Sequence, residues 1–135
     1  MGYQIDEIEG IGPVYKEKLS AVGIATTDDL LQLCADTKGR EEISQKTGLS
    51  TSQLLNWVDM ADLMRVSGVG RQFGELLKAA GVDTIKELRT RNADNLAAKL
   101  AEVNAEKKLA KKVPTAAQVQ DWIEQAKTMG PMITH

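Results

Sequence analysis

Ile8-Glu9-Gly10-Ile11-Gly12, followed by Leu19, Gly23-Ile24, Thr26 and Leu30, recurs 58 residues later as Val66-Ser67-Gly68-Val69-Gly70, Leu77, Gly81-Val82, Thr84 and Leu88. Each copy joins an apolar-Gly-apolar-Gly turn to a segment with helical spacing. The glycines give the backbone access to positive φ. They also remove Cβ atoms that would keep an anion away from the main-chain N–H groups of a helix N-terminus. The apolar residue between them, Ile11 or Val69, plugs back under the turn, and the N–H groups after it lie at the positive end of the helix dipole. Such turns also occur where two short helices simply pack closely, so the duplication speaks more strongly for a fold than for a ligand.

The repeat extends outward from the turn. Ser50-Thr51-Ser52-Gln53 through Trp57-Val58 to Ala61 matches Thr115-Ala116-Ala117-Gln118 through Trp122-Ile123 to Ala126 at an offset of 65, so the second copy carries about seven extra residues, placed between Ala101 and Pro114. Duplication at this period marks one supersecondary unit used twice. Valine and isoleucine fall at helical and not alternating spacing, so no strand is expected.

Residues 3–9 predict a short helix with Ile5 and Ile8 on one face. Pro13 suits the first position of the next helix, Tyr15, Leu19 and Val22 form its stripe, and Gly23 ends it. Thr26 with Asp29 forms a capping box for a helix to about Leu33. Another helix covers roughly 39–46 and stops at Gly48. Ser50 with Gln53 opens a fifth, running to about Arg65. In the second copy Phe73 and Leu77 pack, Gly81 ends the helix, and Thr84 with Glu87 caps the next. Asn92 or Asp94 starts a longer helix through Leu96, Leu100 and Val103, and Pro114 breaks the chain. Thr115 with Gln118 caps the last helix, Gly130-Pro131 ends it, and Met132–His135 reads as a frayed tail. The expected fold is all-α, with about ten short helices in two pseudo-two-fold units of about five each: residues 1–65 and 66–129, then a tail at 130–135.

The chain of 135 residues is 42% apolar, 27% charged and only 4% aromatic, a balance that favours helix. A lone cysteine, Cys34, excludes an intramolecular disulfide framework and points to a reducing, cytoplasmic address. No apolar window is long enough to span a membrane, and no basic-then-apolar leader opens the chain, so no membrane association is expected. A net charge of −2 argues against a surface coated in basic residues for nucleic acid. The average hides a gradient. Residues 1–65 hold 6 Lys/Arg against 11 Asp/Glu, net −5, and residues 66–135 hold 11 against 8, net +3. Attraction to phosphate therefore comes from the second copy.

Catalytic readings lack parts. His135 is the sole histidine and sits at the chain end, so no Ser/His or Cys/His pair forms. No zinc-ligand spacing exists, and Asp28-Asp29 and Glu41-Glu42 stand at helix starts, where dipole and capping account for them. No enzyme activity, metal or cofactor is expected. Lys107, Lys108, Lys111 and Lys112 fall at i, i+1, i+4 and i+5, on one side of a helix. They are either a solvated face or a patch that contacts a nucleic-acid backbone, and Arg89 and Arg91 have the same two readings. Trp57 and Trp122, at equivalent repeat positions, read as core ahead of base-stacking platforms. Cys34 reads as a small buried residue.

Ile8-x-Gly10-Ile11-Gly12-Pro13 followed by Leu19 resembles the helix-hairpin-helix motif of DNA repair enzymes, polymerases and ligases. Two such motifs resemble the tandem helix-hairpin-helix domain that grips both strands of a duplex across the minor groove. Over roughly residues 5–128 the chain is similar to an uncharacterised bacterial family of tandem helix-hairpin-helix proteins, a domain of unknown function. The shared stretches include Gly39-Arg40, Lys46-Thr47-Gly48, Trp57-Val58, Ala61-Asp62-Leu63-Met64-Arg65, Gly81-Val82-Asp83-Thr84, Arg91-Asn92, Lys107-Lys108 and Asp121-Trp122-Ile123. The resemblance implies two tandem helix-hairpin-helix units. It also implies non-catalytic, sequence-independent binding to the backbone of nucleic acid, foremost duplex DNA. The contacts would be Gly68, Val69 and Gly70 with Arg71 and Lys78 assisting, and Gly10, Ile11 and Gly12 in the first copy.

The copies depart from the motif unequally. The residue four after the second glycine is usually small, as Gly74 is; the first copy has Lys16. The first copy also offers Val14 rather than a cation after the turn, with Glu7 and Glu9 beside it, and acidic neighbours oppose an anion. These departures favour the alternative, a protein–protein interaction or scaffold module that keeps the fold without binding DNA. Because their apolar, glycine and capping positions match, residues 8–33 and 66–91 are expected to superpose closely as separate units, with Gly12 and Gly70 in one local conformation.

Overall fold

The computed structural model describes residues 2–130 and 132–134. A 3-10 turn at Ile5–Glu7 precedes α1 (Pro13–Ser20), α2 (Thr27–Cys34), α3 (Thr37–Thr47), α4 (Thr51–Leu63), α5 (Gly70–Ala79), α6 (Ile85–Leu88), α7 (Ala93–Lys107) and α8 (Ala116–Thr128). The fold is all-α, with no strand among the described residues; Gln4 and Thr26 form an isolated antiparallel bridge. The chain divides into two compact units, Met1–Asp62 with Met132–His135, and Leu63–Pro131.

In the first unit Ile5, Ile8, Ile11, Leu19, Ile24, Leu30, Leu31, Leu54 and Val58 are buried. The helix expected over 3–9 shrinks to a single turn because its backbone groups are used elsewhere. Ile5 N–H donates to the Ala25 carbonyl at 3.0 Å and Thr27 N–H to the Tyr3 carbonyl at 2.9 Å, tying this segment to the chain entering α2. Thr26 and Asp29 form the expected capping box. The corner from α2 to α3 requires Gly39, since a Cβ there would overlap the Leu33 carbonyl oxygen.

Arg40, buried in α3, closes that corner. Its guanidinium donates to the carbonyls of Cys34 (3.0 Å) and Ala35 (3.1 Å), to Thr37 Oγ1 (3.3 Å) and to the Thr134 carbonyl (2.6 Å). Thr134 N–H in turn donates to the Ala35 carbonyl at 2.9 Å. Part of the tail read as frayed is thus held: the exposed carbonyls at the end of α2 need donors, and the tail and Arg40 supply them. The expectations for Pro131 and His135 fall outside the described residues.

The second unit is built on Val66, Val69, Leu76, Leu77, Val82, Ile85, Leu88, Leu96, Leu100, Val119, Trp122 and Ile123. Helix α8 packs on α7 and α6, and α5 packs on α7. Asn92 is the residue that caps α7, accepting from Asn95 N–H. The lysine segment departs from the expected helix side. Helix α7 stops at Lys107, and Lys108 adopts the left-handed conformation at φ 50°. The Asn104 side chain donates to the Ala110 carbonyl at 3.0 Å and accepts from Ala110 N–H at 2.9 Å. That paired bond ends the helix and folds residues 108–112 back as a loop, leaving Lys111 and Lys112 off α7.

Candidate functional site

The two glycine turns start alike. Ile11 N–H donates to the Ile8 carbonyl at 3.1 Å and Val69 N–H to the Val66 carbonyl at 3.2 Å. Gly10 and Gly68 both sit at φ +94°, where an L side chain is strained. Ile11 and Val69 plug beneath, 4% and 2% exposed. The turns then diverge. Gly12 is extended, at φ −90° and ψ −171°, and caps α1 from outside. Gly70 is at φ +60° and already belongs to α5, with Val69 in the capping position. The expectation of one shared conformation for Gly12 and Gly70 therefore fails, and with it the close superposition of residues 8–33 on 66–91. The cause is Pro13, whose ring drives its predecessor into extended space; Arg71 makes no such demand.

Capping marks these two helices out. Thr26, Asp36, Ser50, Thr84, Asn92 and Thr115 each accept an N–H from the first turn of α2, α3, α4, α6, α7 and α8. Helices α1 and α5 have no side-chain cap. Their first-turn N–H groups have no carbonyl one turn earlier to bond, so an acceptor from outside the fold fits there.

The flanks differ in sign and structure. In the second unit Gly68, Val69, Gly70 and Arg71 are contiguous at the start of α5, with Arg71 exposed. Lys78 lies eight residues along the same helix, about 12 Å from Gly70 at 1.5 Å per residue, so it is not part of the turn. The lysine loop is. Lys111 N–H reaches Gln72 Oε1 at 3.4 Å, which sets the loop beside the first turn of α5. Lys107, Lys108, Lys111 and Lys112 are exposed, and none is in an ion pair with a described residue. Arg91, by contrast, is engaged with Glu87 at 3.0 Å and the Gly81 carbonyl at 3.3 Å.

Helix α8 braces this turn. Ser67 N–H donates to Gln125 Oε1 at 2.9 Å, while Gln125 Nε2 donates to the Ser67 carbonyl at 3.1 Å. Trp122 packs on Phe73 with ring centroids 5.3 Å apart. In the first unit Trp57 packs on Tyr15 at the same 5.3 Å. There Lys16 is half-buried and its ammonium lies 3.3 Å from Asp6, where Gly74 in α5 is a buried small residue. Val14, in the first turn of α1, is 65% exposed.

Two perturbed groups belong to the frame around α2. Burial pushes the Cys34 thiol up to about 11 against the opposing pull of Arg40, so it is a poor nucleophile at neutral pH. The Asp29 carboxyl is held below its ordinary value, chiefly by the Ala25 N–H it accepts. Among the described residues no His/Cys/Asp/Glu group of three or more could hold a metal, and no helix is long and apolar enough to cross a membrane.

Residues 9–129, which include both glycine turns and the braces of the second, match the family described as a domain of unknown function, DUF4332. The chain belongs to this family. No curated protein and no solved structure matches it. In this DUF4332 domain the residues that sequence reasoning missed are Gln72 and Gln125, and Asn104, one of the residues shared with the resembling family, was given no role; the three hold the loop and turn together. A faint signal existed for one of them: at the 65-residue offset Gln125 corresponds to Met60, so this amide is particular to the second copy.

Proposed function

We propose that the protein binds the phosphate backbone of duplex DNA, without catalysis and without sequence preference, through a helix-hairpin-helix turn in its second unit. The observation that carries this is the start of α5, which has no side-chain cap and is flanked by the exposed lysine loop seated against Gln72. Main-chain donors, a helix dipole and cations converge there on one small surface. Nothing at that surface has the geometry of a base reader, so backbone contact alone is proposed. The first unit is a structural companion, since its turn lies beside Glu7 and Glu9 and its lysine is committed to Asp6. The lone buried Cys34 supports a cytoplasmic address.

Fluorescence anisotropy on a labelled duplex at two salt concentrations tests this. With about four phosphate contacts, affinity falls on the order of 100-fold between about 50 and 200 mM salt, and sequence hardly matters. No binding at the lower salt overturns the reading. It would promote a second one, a protein-interaction or scaffold module, which the exposed Val14 at the uncapped start of α1 favours.

A further inference from the structure

Each glycine turn has a tryptophan nitrogen against it. Indole Nε1 of Trp122 lies 3.3 Å from where a Cβ on Gly68 would stand, and that of Trp57 lies 3.7 Å from the corresponding point on Gly10. Both tryptophans are more than nine-tenths buried as residues, Trp122 at 2% and Trp57 at 7% exposure. An indole N–H is a donor and nothing else, and a buried one almost always has an acceptor. Here neither bonds to a described residue, yet neither nitrogen is sealed inside the protein. Water is the acceptor in the free protein, and any ligand that replaces it arrives at the glycine turn.

We infer that the Trp122 indole N–H is a phosphate-oxygen donor built into the second turn. The inference rests on the phosphate-binding reading of that turn and names a contact within it. Three facts select the ligand. The groups gathered at the turn are donors: the first-turn amides of α5, the indole, and the ammonium groups of the lysine loop. A donor-only set calls for an acceptor-only, negatively charged partner, which a phosphodiester is. Gly68 keeps the approach open, because a Cβ there would press on the nitrogen. Ring packing on Phe73 and the Gln125 clamp on Ser67 fix the indole and the turn relative to each other before any ligand arrives. Trp57 is the counterpart in the first unit, with acidic Glu7 and Glu9 nearby in place of cations, so its N–H takes an anion more weakly.

The indole N–H resonances report directly. The unmodified, nitrogen-labelled protein gives two of them, assigned with Trp57→Phe or Trp122→Phe, whichever folds. It is titrated with a short duplex and, separately, with inorganic phosphate. The expected result is a shift of the Trp122 indole with the duplex and little movement of Trp57. A folded Trp122→Phe protein, which keeps a ring against Phe73, should bind the duplex roughly tenfold more weakly. A shift with inorganic phosphate as well identifies a site for the free anion, and a shift with the duplex alone identifies the polymer backbone. If the duplex moves the main-chain amides of residues 68–72 but leaves the Trp122 indole unmoved, the inference fails and the backbone-binding reading stands. If the duplex moves nothing, that reading fails, and the phosphate titration decides the indole: a shift keeps it as an anion donor, and none overturns it.

Discussion

Gly12 and Gly70 occupy the same place in the repeat and do different work. Gly12 is extended and has open space where a Cβ would go. Gly70 has open space too, but its φ of +60° excludes a β-branched side chain. Gly70→Val therefore confounds loss of a contact with loss of folding. Gly68 is worse placed for any side chain, with φ +94° and Trp122 Nε1 at 3.3 Å. Urea unfolding followed by tryptophan fluorescence should rank three substitutions. Gly12→Ala should change stability by less than about 1 kcal/mol. Gly10→Ala should cost about 1–2 kcal/mol for the left-handed backbone, and Gly68→Ala more, because its Cβ also crowds the indole. Equal costs for Gly12→Ala and Gly68→Ala would contradict this account. The glycines themselves were legible in the sequence, since a duplicated Gly-apolar-Gly turn before a helical stripe marks a tight helix–turn–helix corner whether or not it binds a ligand. Their individual φ values were not, because the effect of Pro13 on its predecessor breaks the repeat at one residue while leaving the pattern intact.

At the scale of elements, capping explains most of what the sequence reveals. Ser or Thr followed three residues on by an acidic or amide residue marks the starts of α2, α4, α6 and α8 by local pattern alone, and a polar capping bond holds each. Elements closed by bonds outside such a motif were illegible. The short helix over 3–9 lost its backbone partners to the segment before α2, and the lysine run left its helix through the Asn104–Ala110 pair. The Ile5–Ala25 bond joins residues remote in sequence, and the Asn104–Ala110 pair, six residues apart, follows no recognised capping pattern. The α2 box gives a pH prediction. Asp29 accepts from Ala25 and Thr26 N–H groups, which lowers its folded pKa below the ordinary 3.8. Its contribution is therefore fully present above the unfolded value and is lost as pH falls through the lowered folded one. Asp29→Asn should flatten the acid limb of the stability–pH curve below about pH 4. Thr26→Ala should lower stability by about 1 kcal/mol at neutral pH through loss of the cap. An acid limb unchanged in Asp29→Asn would show that the box carries none of the pH dependence.

The whole molecule is weakly acidic, yet its charge is unevenly divided, −5 over residues 1–65 and +3 over 66–135. Net charge alone would predict poor association with a polyanion, and steering by the whole-molecule field acts over roughly a Debye length, about 10 Å at 0.1 M salt. Local placement of cations must then outweigh the total if the backbone-binding proposal is right, and that can be separated from net charge. Lys108→Ala/Lys111→Ala/Lys112→Ala removes three positive charges from the loop beside α5, while Lys18→Ala/Lys38→Ala/Lys46→Ala removes three from exposed positions of the first unit. Both triple variants carry the same net charge, so long-range effects change comparably. Counterion release does not: each lysine that touches a phosphate adds about 0.9 to the slope of log affinity against log salt. The loop variant should flatten that slope by roughly two to three units, and the first-unit variant should leave it nearly unchanged while lowering affinity slightly at low salt. Equal slopes in the two variants would mean that charge acts only at a distance, and the lysine loop would lose its place in the interface.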